Sequence, residues 1–244
     1  MFEKTNSDLK RPLQIVISGD PGIGKTTFGA TFKNPAFIRF EDGTRSLDGE
    51  YLQTPLLNSF EEGIAAVNEA RNNKDISSLV IDSISTLERM ILEPDVVSKD
   101  AKATSINDAH GGWGRGGRIV ADYMGKFKSA CVNSGKNCIY LCHSEISQFK
   151  AVDIAPYNVL TLRLSKYSKP FYMDLVDAVC FLRLKVSDQR DGKEKIIMSS
   201  ERRELICHAN ATIESKNRLK ITKPLPCPLG TNPIIEHIKS EMKG

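Results

Sequence analysis

Eight consecutive residues, Gly19-Asp20-Pro21-Gly22-Ile23-Gly24-Lys25-Thr26, satisfy the pattern G-x-x-x-x-G-K-[ST] in full. The chemistry such a run supports is the holding of a triphosphate. Its glycines let main-chain N–H groups approach phosphate oxygens closely, and a helix expected to open at Lys25 adds a favourable partial charge. Lys25 then reaches the β and γ phosphates, and Thr26 offers its hydroxyl to a magnesium ion. With Thr27 continuing the cradle, residues 19–27 are the expected site for ATP and Mg2+. The metal also needs an acid at the end of a neighbouring strand. Leu79-Val80-Ile81-Asp82 supplies one, and Asp82 is expected to hold the metal directly or through water. The alternative for Asp82 is to cap a helix beginning near Ile84.

Hydrolysis further requires a group that orients or deprotonates water. Asp82 is followed by Ser83 rather than a glutamate, so the base must come from elsewhere. Glu41, at the tip of the strand Ala36–Phe40, is the best placed candidate, with Asp42 as its competitor and a solvated loop acid as the alternative role. A second kind of chemistry is suggested around the only tryptophan, in His110-Gly111-Gly112-Trp113-Gly114-Arg115-Gly116-Gly117-Arg118. An indole beside Arg115 and Arg118 in a glycine-rich loop offers a stacking face and phosphate-pairing cations, a combination suited to single-stranded DNA. Lys150, Arg163 and Lys166 are placed to add to it. The competing expectation is that Trp113 packs against the protein.

These groups must be positioned by regular elements, and the apolar pattern predicts which. Leu13–Ile17, Ala36–Phe40, Leu79–Asp82 and Asn137–Cys142 are short apolar runs expected as buried strands, the last ending at His143-Ser144-Glu145. Helical spacing occupies Asn58–Asn73, a stretch from Ile84, and Ile119–Asn133. Asp100–Gly117 is expected as a loop, and Ser144 to about Lys169 as a second long connection. Asp177–Val186, Lys193–Ser200 and Arg203–Cys207 are predicted as antiparallel strands, with a turn over Ser187–Gly192. Pro224–Pro228 should break regular structure before a terminal helix over Ile234–Met242. The fold class expected is α/β: a mostly parallel, doubly wound sheet with an antiparallel C-terminal extension. Gly19, Glu41, Asp82 and His143 then converge at the C-terminal strand ends, where ligands of such sheets gather.

The 244 residues suit one large domain, divided as a polar lead-in at 1–11, the domain at 12–226 and a tail with a short helix at 227–244. With 40% hydrophobic and 26% charged residues the chain is ordinary globular protein, and a net charge of +4 is too mild to decide for a nucleic-acid partner. The six cysteines contain no C-x-x-C pair and are expected as reduced, small hydrophobes. No signal peptide or membrane span is legible, so a cytoplasmic location is expected.

Taken together, the phosphate loop, Glu41, Val80-Ile81-Asp82-Ser83, the glycine-rich loop and a strand ending in a polar residue resemble the RecA-like core of P-loop NTPases. The resemblance covers Leu13 to Pro226. It implies that Glu41 activates water, that His143 or Ser144 senses the γ phosphate, and that Gly111–Arg118 and Ser144–Lys169 bind single-stranded DNA. Glu214-Ser215-Lys216-Asn217-Arg218 resembles the K-x-R motif of hexameric RecA-like helicases. By that likeness Lys216 and Arg218 reach the nucleotide of a neighbouring subunit, and ATP lies at the interfaces of a ring or filament of identical chains. Compact length and the order of motifs are similar to phage-encoded, core-only RecA-like ATPases that promote single-strand annealing. A single-strand binding protein is then a further candidate partner, and the host cytoplasm the expected compartment. Two rival functions remain open here: an ATP-switched adaptor or loader for a replication protein, and a small-molecule phosphotransferase.

Overall fold

The computed structural model describes residues 11–150, 155–191 and 194–241. The lead-in before Arg11 lies outside these residues, as do residues 151–154 of the predicted second connection, Gly192 of the predicted turn, Lys193 of the strand predicted after it and Met242 of the predicted terminal helix. The first strand, β1 (Gln14–Gly19), is buried from Ile15 onward, as a run apolar on both faces requires. It passes through the glycine loop into α1 (Lys25–Ala30) and on to β2 (Pro35–Arg39). A two-residue strand, β3 (Leu52–Gln53), precedes α2 (Phe60–Asn72). The start of α2 is a capping box: Glu62 N donates to Ser59 Oγ at 3.2 Å, and the Glu62 carboxylate accepts from Asn58 N at 2.8 Å. Next, β4 (Ser78–Asp82) leads into α3 (Ile84–Thr86), a π-helical stretch over Leu87–Leu92 and α4 (Glu93–Ser98). Then follow α5 (Arg115–Asn133), β5 (Asn137–Phe149), β6 (Tyr157–Leu162) and α6 (Lys169–Met173). The chain continues through β7 (Ala178–Asp191), β8 (Glu194–Ile206), β9 (Lys216–Asn217), β10 (Leu225–Pro226) and α7 (Pro233–Glu241).

The main sheet runs in the order β10-β8-β7-β1-β5-β4-β2-β3. Pairing is parallel from β7 across to β3, and antiparallel where β8 joins β7 and β10 joins β8. Side chains alternate between two cores. Val16, Leu79, Ile81 and Tyr140 face one core under α2 and α5, whereas Ile15, Ile17, Val80 and Ile139 face the other under α1 and α7. The molecule is thus the expected mostly parallel α/β sheet, covered on both faces, with antiparallel strands towards its C-terminus. All six cysteines are buried and unpaired within it. Among the described residues no helix is long and apolar enough to cross a membrane.

Four boundaries differ from the sequence expectation. The strand expected to end at His143 continues to Phe149, because beyond Ser144 it pairs antiparallel with β6, from Ser144↔Leu162 to Phe149↔Tyr157. Half of the expected second connection is therefore a hairpin. Helix α5 opens at Arg115, so Arg115 and Arg118 belong to its first turn rather than to a loop. The glycines there serve close packing: a Cβ on Gly116 would lie 2.6 Å from Ile106 O, and one on Gly117 would lie 2.7 Å from the Tyr167 ring. The two strands expected at Lys193–Ser200 and Arg203–Cys207 are one strand, β8, whose pairing with β7 shifts register between Leu184↔Arg203 and Val186↔Ser199. Finally, Pro224–Pro228 does not interrupt the sheet. Leu225 and Pro226 pair with Leu205 and Glu204 at its edge, where proline costs no ladder bond. Beyond Pro226, Cys227 and Ile234 are buried in the same core as Ile15 and Leu205, so the stretch set apart as a tail packs into the domain.

Candidate functional site

Register brings the predicted groups to one sheet edge. Gly19 of β1 lies beside His143 of β5, and Asp82 of β4 beside Arg39 of β2, with Glu41 two residues past Arg39. Between them opens a cleft of about 620 Å³, bordered by Gly22, Lys25, Thr26, Glu41, His143 and Arg203. That is room for a nucleotide.

The glycine loop turns because Gly22 (φ 76°) and Gly24 (φ 102°) take a left-handed backbone that a side chain would strain. Within it Ile23 N donates to Asp20 O at 3.3 Å, while the amides of Gly22, Gly24, Lys25 and Thr26 make no main-chain hydrogen bond among the described residues. Open N–H groups in one concavity are what phosphate oxygens require. Lys25 Nζ is buried and donates to Gly19 O at 2.9 Å and Asp20 O at 3.0 Å. Burial lowers its pKa, although Glu41 and Asp82 nearby favour the charged form. Asp20 in turn accepts from Ser144 Oγ at 2.7 Å, tying the loop to the strand end beside it.

Asp82 is wholly buried and accepts from Thr26 Oγ1 at 2.9 Å on Oδ2, while its Oδ1 has no hydrogen-bond partner among the described residues. It does not cap the following helix. Ser83 does, its Oγ accepting from Thr86 N at 3.3 Å. An orphaned carboxylate oxygen beside a threonine hydroxyl fits a hard divalent cation such as Mg2+. Gly43 keeps that position open, since a Cβ there would lie 2.5 Å from Asp82 Oδ2 and 2.7 Å from Thr26 Oγ1. Without a cation, burial first and the Glu41 charge second push the Asp82 carboxyl up to about 7.

Glu41 Oε2 accepts from Thr86 Oγ1 at 2.7 Å and from Ser83 Oγ at 3.1 Å, and His143 Nε2 lies 3.1 Å away. Burial raises its pKa, but the hydrogen bonds from His143 and Thr86 outweigh burial and bring the carboxyl down to about 2. The competing acid, Asp42, is taken up by ion pairs with Arg39 and Arg45. His143 is itself anchored, its N–H donating to Ser85 Oγ at 3.0 Å. The hydroxyls of Ser83, Ser85 and Thr86 were not singled out from the sequence. Their signal is there, as three hydroxyl residues among the four that follow Asp82.

Arg203 and Leu229 are two further cleft residues that sequence reasoning missed. An Arg202-Arg203 pair flanked by glutamates carries no motif, and only the pairing of β8 with β7 brings Arg203 here. Lys216 and Arg218, in contrast, are not brought to this cleft. Lys216 pairs with Val179 near the start of β7 and its Nζ donates to the carbonyl of Asp174, and Arg218 N donates to Asp177 O at 2.8 Å.

The residues proposed for nucleic acid gather only in part. Trp113 is 91% exposed, so it does not pack against the protein. It borders a cleft of about 410 Å³ with Gly114, Lys166 and Tyr167. Lys166 Nζ and Arg118 Cζ lie 5.1 Å and 5.6 Å from the centre of the Tyr167 ring. Tyr167 is an aromatic the sequence had not marked. Arg163 is exposed just past β6, where its N–H donates to His143 O at 2.9 Å; Lys150 is exposed just past the end of β5, and neither borders that cleft.

Comparison with solved structures gives a KaiC-like protein from the hyperthermophilic archaeon Pyrococcus horikoshii OT3, with 13% identity and a TM-score of 0.44 over 89% of this chain and 90% of that one. No curated protein matches. Residues 11–219 match the family described as AAA domain, and the glycine loop with its buried lysine, threonine and aspartate lies inside that span. The chain therefore belongs to the AAA domain family of P-loop ATPases.

Proposed function

We propose that the cleft binds ATP with Mg2+ and hydrolyses it, and that turnover serves the handling of single-stranded DNA in recombination or strand annealing. The observation that carries the hydrolytic reading is Glu41, an ionised carboxylate held by Thr86, Ser83 and His143 at the rim of the cleft that Lys25 and Thr26 line, with Asp82 buried behind Thr26. Thr26 Oγ1 and Asp82 would hold Mg2+, which when bound would supply neutralisation of phosphate charge. The loop amides and Lys25 hold the triphosphate in one pose. Glu41, with one oxygen fixed by three donors, turns its remaining lone pairs to the attacking water. A carboxyl held near 2 is a weak base, so its contribution is chiefly orientation, as expected for a loose phosphoryl-transfer transition state. His143, bonded to Glu41, is the group that registers whether a γ phosphate is present. Support for DNA as the partner is the exposed Trp113 with Tyr167, Lys166 and Arg118 beside it. The trans role of Lys216 and Arg218 completes the reading.

The test is ATP binding and steady-state turnover of wild type and Glu41→Gln, each with and without oligo(dT) at low salt. Wild type should turn over faster with oligo(dT). Glu41→Gln should bind ATP like wild type and lose turnover by about 10²-fold or more. Full turnover in the variant removes Glu41 from the mechanism, and a wild-type rate indifferent to oligo(dT) removes the DNA partner.

A further inference from the structure

Strand β8 ends its irregular stretch at Arg203, and the register shift opposite Leu184 and Val186 comes immediately before it. Such irregularities re-aim a side chain. Here the half-buried guanidinium is turned onto the glycine loop, where Nε donates to Ile23 O at 2.9 Å. The same Nε lies 3.8 Å from where a Cβ on Gly24 would stand. One of five N–H donors is thereby used. Among the described residues no carboxylate pairs with Arg203, although it borders the cleft. A half-buried cation without a counter-charge is costly unless an anion comes to it.

The C-terminal segment reinforces the arrangement. Cys227 N donates to Arg203 O at 2.9 Å, and the pairing of β10 with β8 leads the chain on to Leu229. Leu229 is 56% exposed, and its Cδ2 lies 3.0 Å from where a Cβ on Gly24 would stand. Across the loop, Glu41 and His143 mark the γ-phosphate end. Arg203 stands instead beside Ile23 and Gly24, the part of the loop whose amides cradle the α and β phosphates.

We propose that Arg203 is a nucleotide-binding residue acting in cis, its free guanidinium donors pairing with the diphosphate shared by ADP and ATP. This rests on the reading of the cleft as a nucleotide site. It makes the antiparallel extension part of that site, and it gives the chain a cation beside its own nucleotide that is independent of any neighbour.

Calorimetric titration with Mg·ADP and Mg·ATP tests it in wild type, Lys25→Ala, Arg203→Lys and Arg203→Gln, with folding of each checked by circular dichroism. Wild type should bind both nucleotides and Lys25→Ala neither; failure of this pair sinks the nucleotide reading itself. Glutamine can keep the bond to Ile23 O but not the charge, so Arg203→Gln should weaken ADP and ATP alike, by about tenfold or more. Arg203→Lys should recover part of that loss. Wild-type affinity in a folded Arg203→Gln protein would show that Arg203 only props the loop and would overturn the proposal, as would a loss confined to ATP.

Discussion

Two carboxylates close enough to feel each other's charge in a poorly solvated place cannot both ionise cheaply unless a cation stands between them. Glu41 wins the competition because three donors hold its charge, and the proton goes to Asp82, which is wholly buried and accepts from Thr26. The folded pKa of Asp82, about 7, stands above the ordinary 3.8, so its ionisation opposes folding, and stability drains away as pH rises between those values. Glu41 runs the other way, but its window lies lower, between the ordinary 4.5 and about 2. Above pH 5 the Asp82 effect therefore dominates. Asp82→Asn should raise the thermal midpoint of the nucleotide-free, metal-free protein at pH 8, by about 1–2 kcal/mol or a few degrees, with the gain shrinking towards pH 5. A variant less stable than wild type at pH 8 would contradict this assignment of the proton. Lys25, Thr26, Asp82 and Glu41 were all legible in the sequence, because each is either part of a motif or the terminal acid of an apolar run. Arg203, Leu229 and Tyr167 were not, since what matters in them is the partner a distant segment brings.

The same division holds among elements. Strands buried on both faces announce themselves as apolar runs, and β1, β2 and β4 stand where expected to within one or two residues. The extension of β5 past His143 is half exposed and polar, so its period is masked until β6 pairs with it. Glycines hid the start of α5 in another way. Gly116 and Gly117 look like loop residues, yet their missing side chains make room for Ile106 and Tyr167. That packing draws the Trp113 loop and the segment after β6 around one cleft, with two aromatic rings and two cations at its edge. Trp113 is the only tryptophan, so its emission reports on this place alone. Oligo(dT) should quench it at low salt, and raising the salt from about 50 to 200 mM should reverse much of the effect. Tyr167→Ala should weaken binding by about 1–3 kcal/mol. If the emission stays constant while oligo(dT) binds by another measure, the contact lies elsewhere on the protein.

Across the whole molecule, the position of Lys216 and Arg218 constrains how they could serve catalysis. The glycine loop packs at the level of Leu182 on β7, whereas Lys216 and Arg218 sit at Val179 and Asp177, about 10–16 Å back along the strand. Lys216 is moreover engaged with the carbonyl of Asp174. These cations stand away from their own nucleotide site, so a catalytic role for them would require a second copy whose cleft meets this face, in a head-to-tail ring or filament. Turnover per subunit should then rise with protein concentration, and Arg218→Ala should be nearly inactive at every concentration. Mixed with Lys25→Ala, it should recover activity, because the first protein contributes an intact cleft and the second an intact Arg218. In an equal mixture that assembles at random, about one interface in four combines the two, which sets the recovery expected against wild type. Differently tagged chains that co-purify establish that mixing has occurred. Co-assembly without recovered turnover would confine both cations to the structure of β7 and β9, and would leave the cleft to work with Lys25 and Arg203 of its own chain.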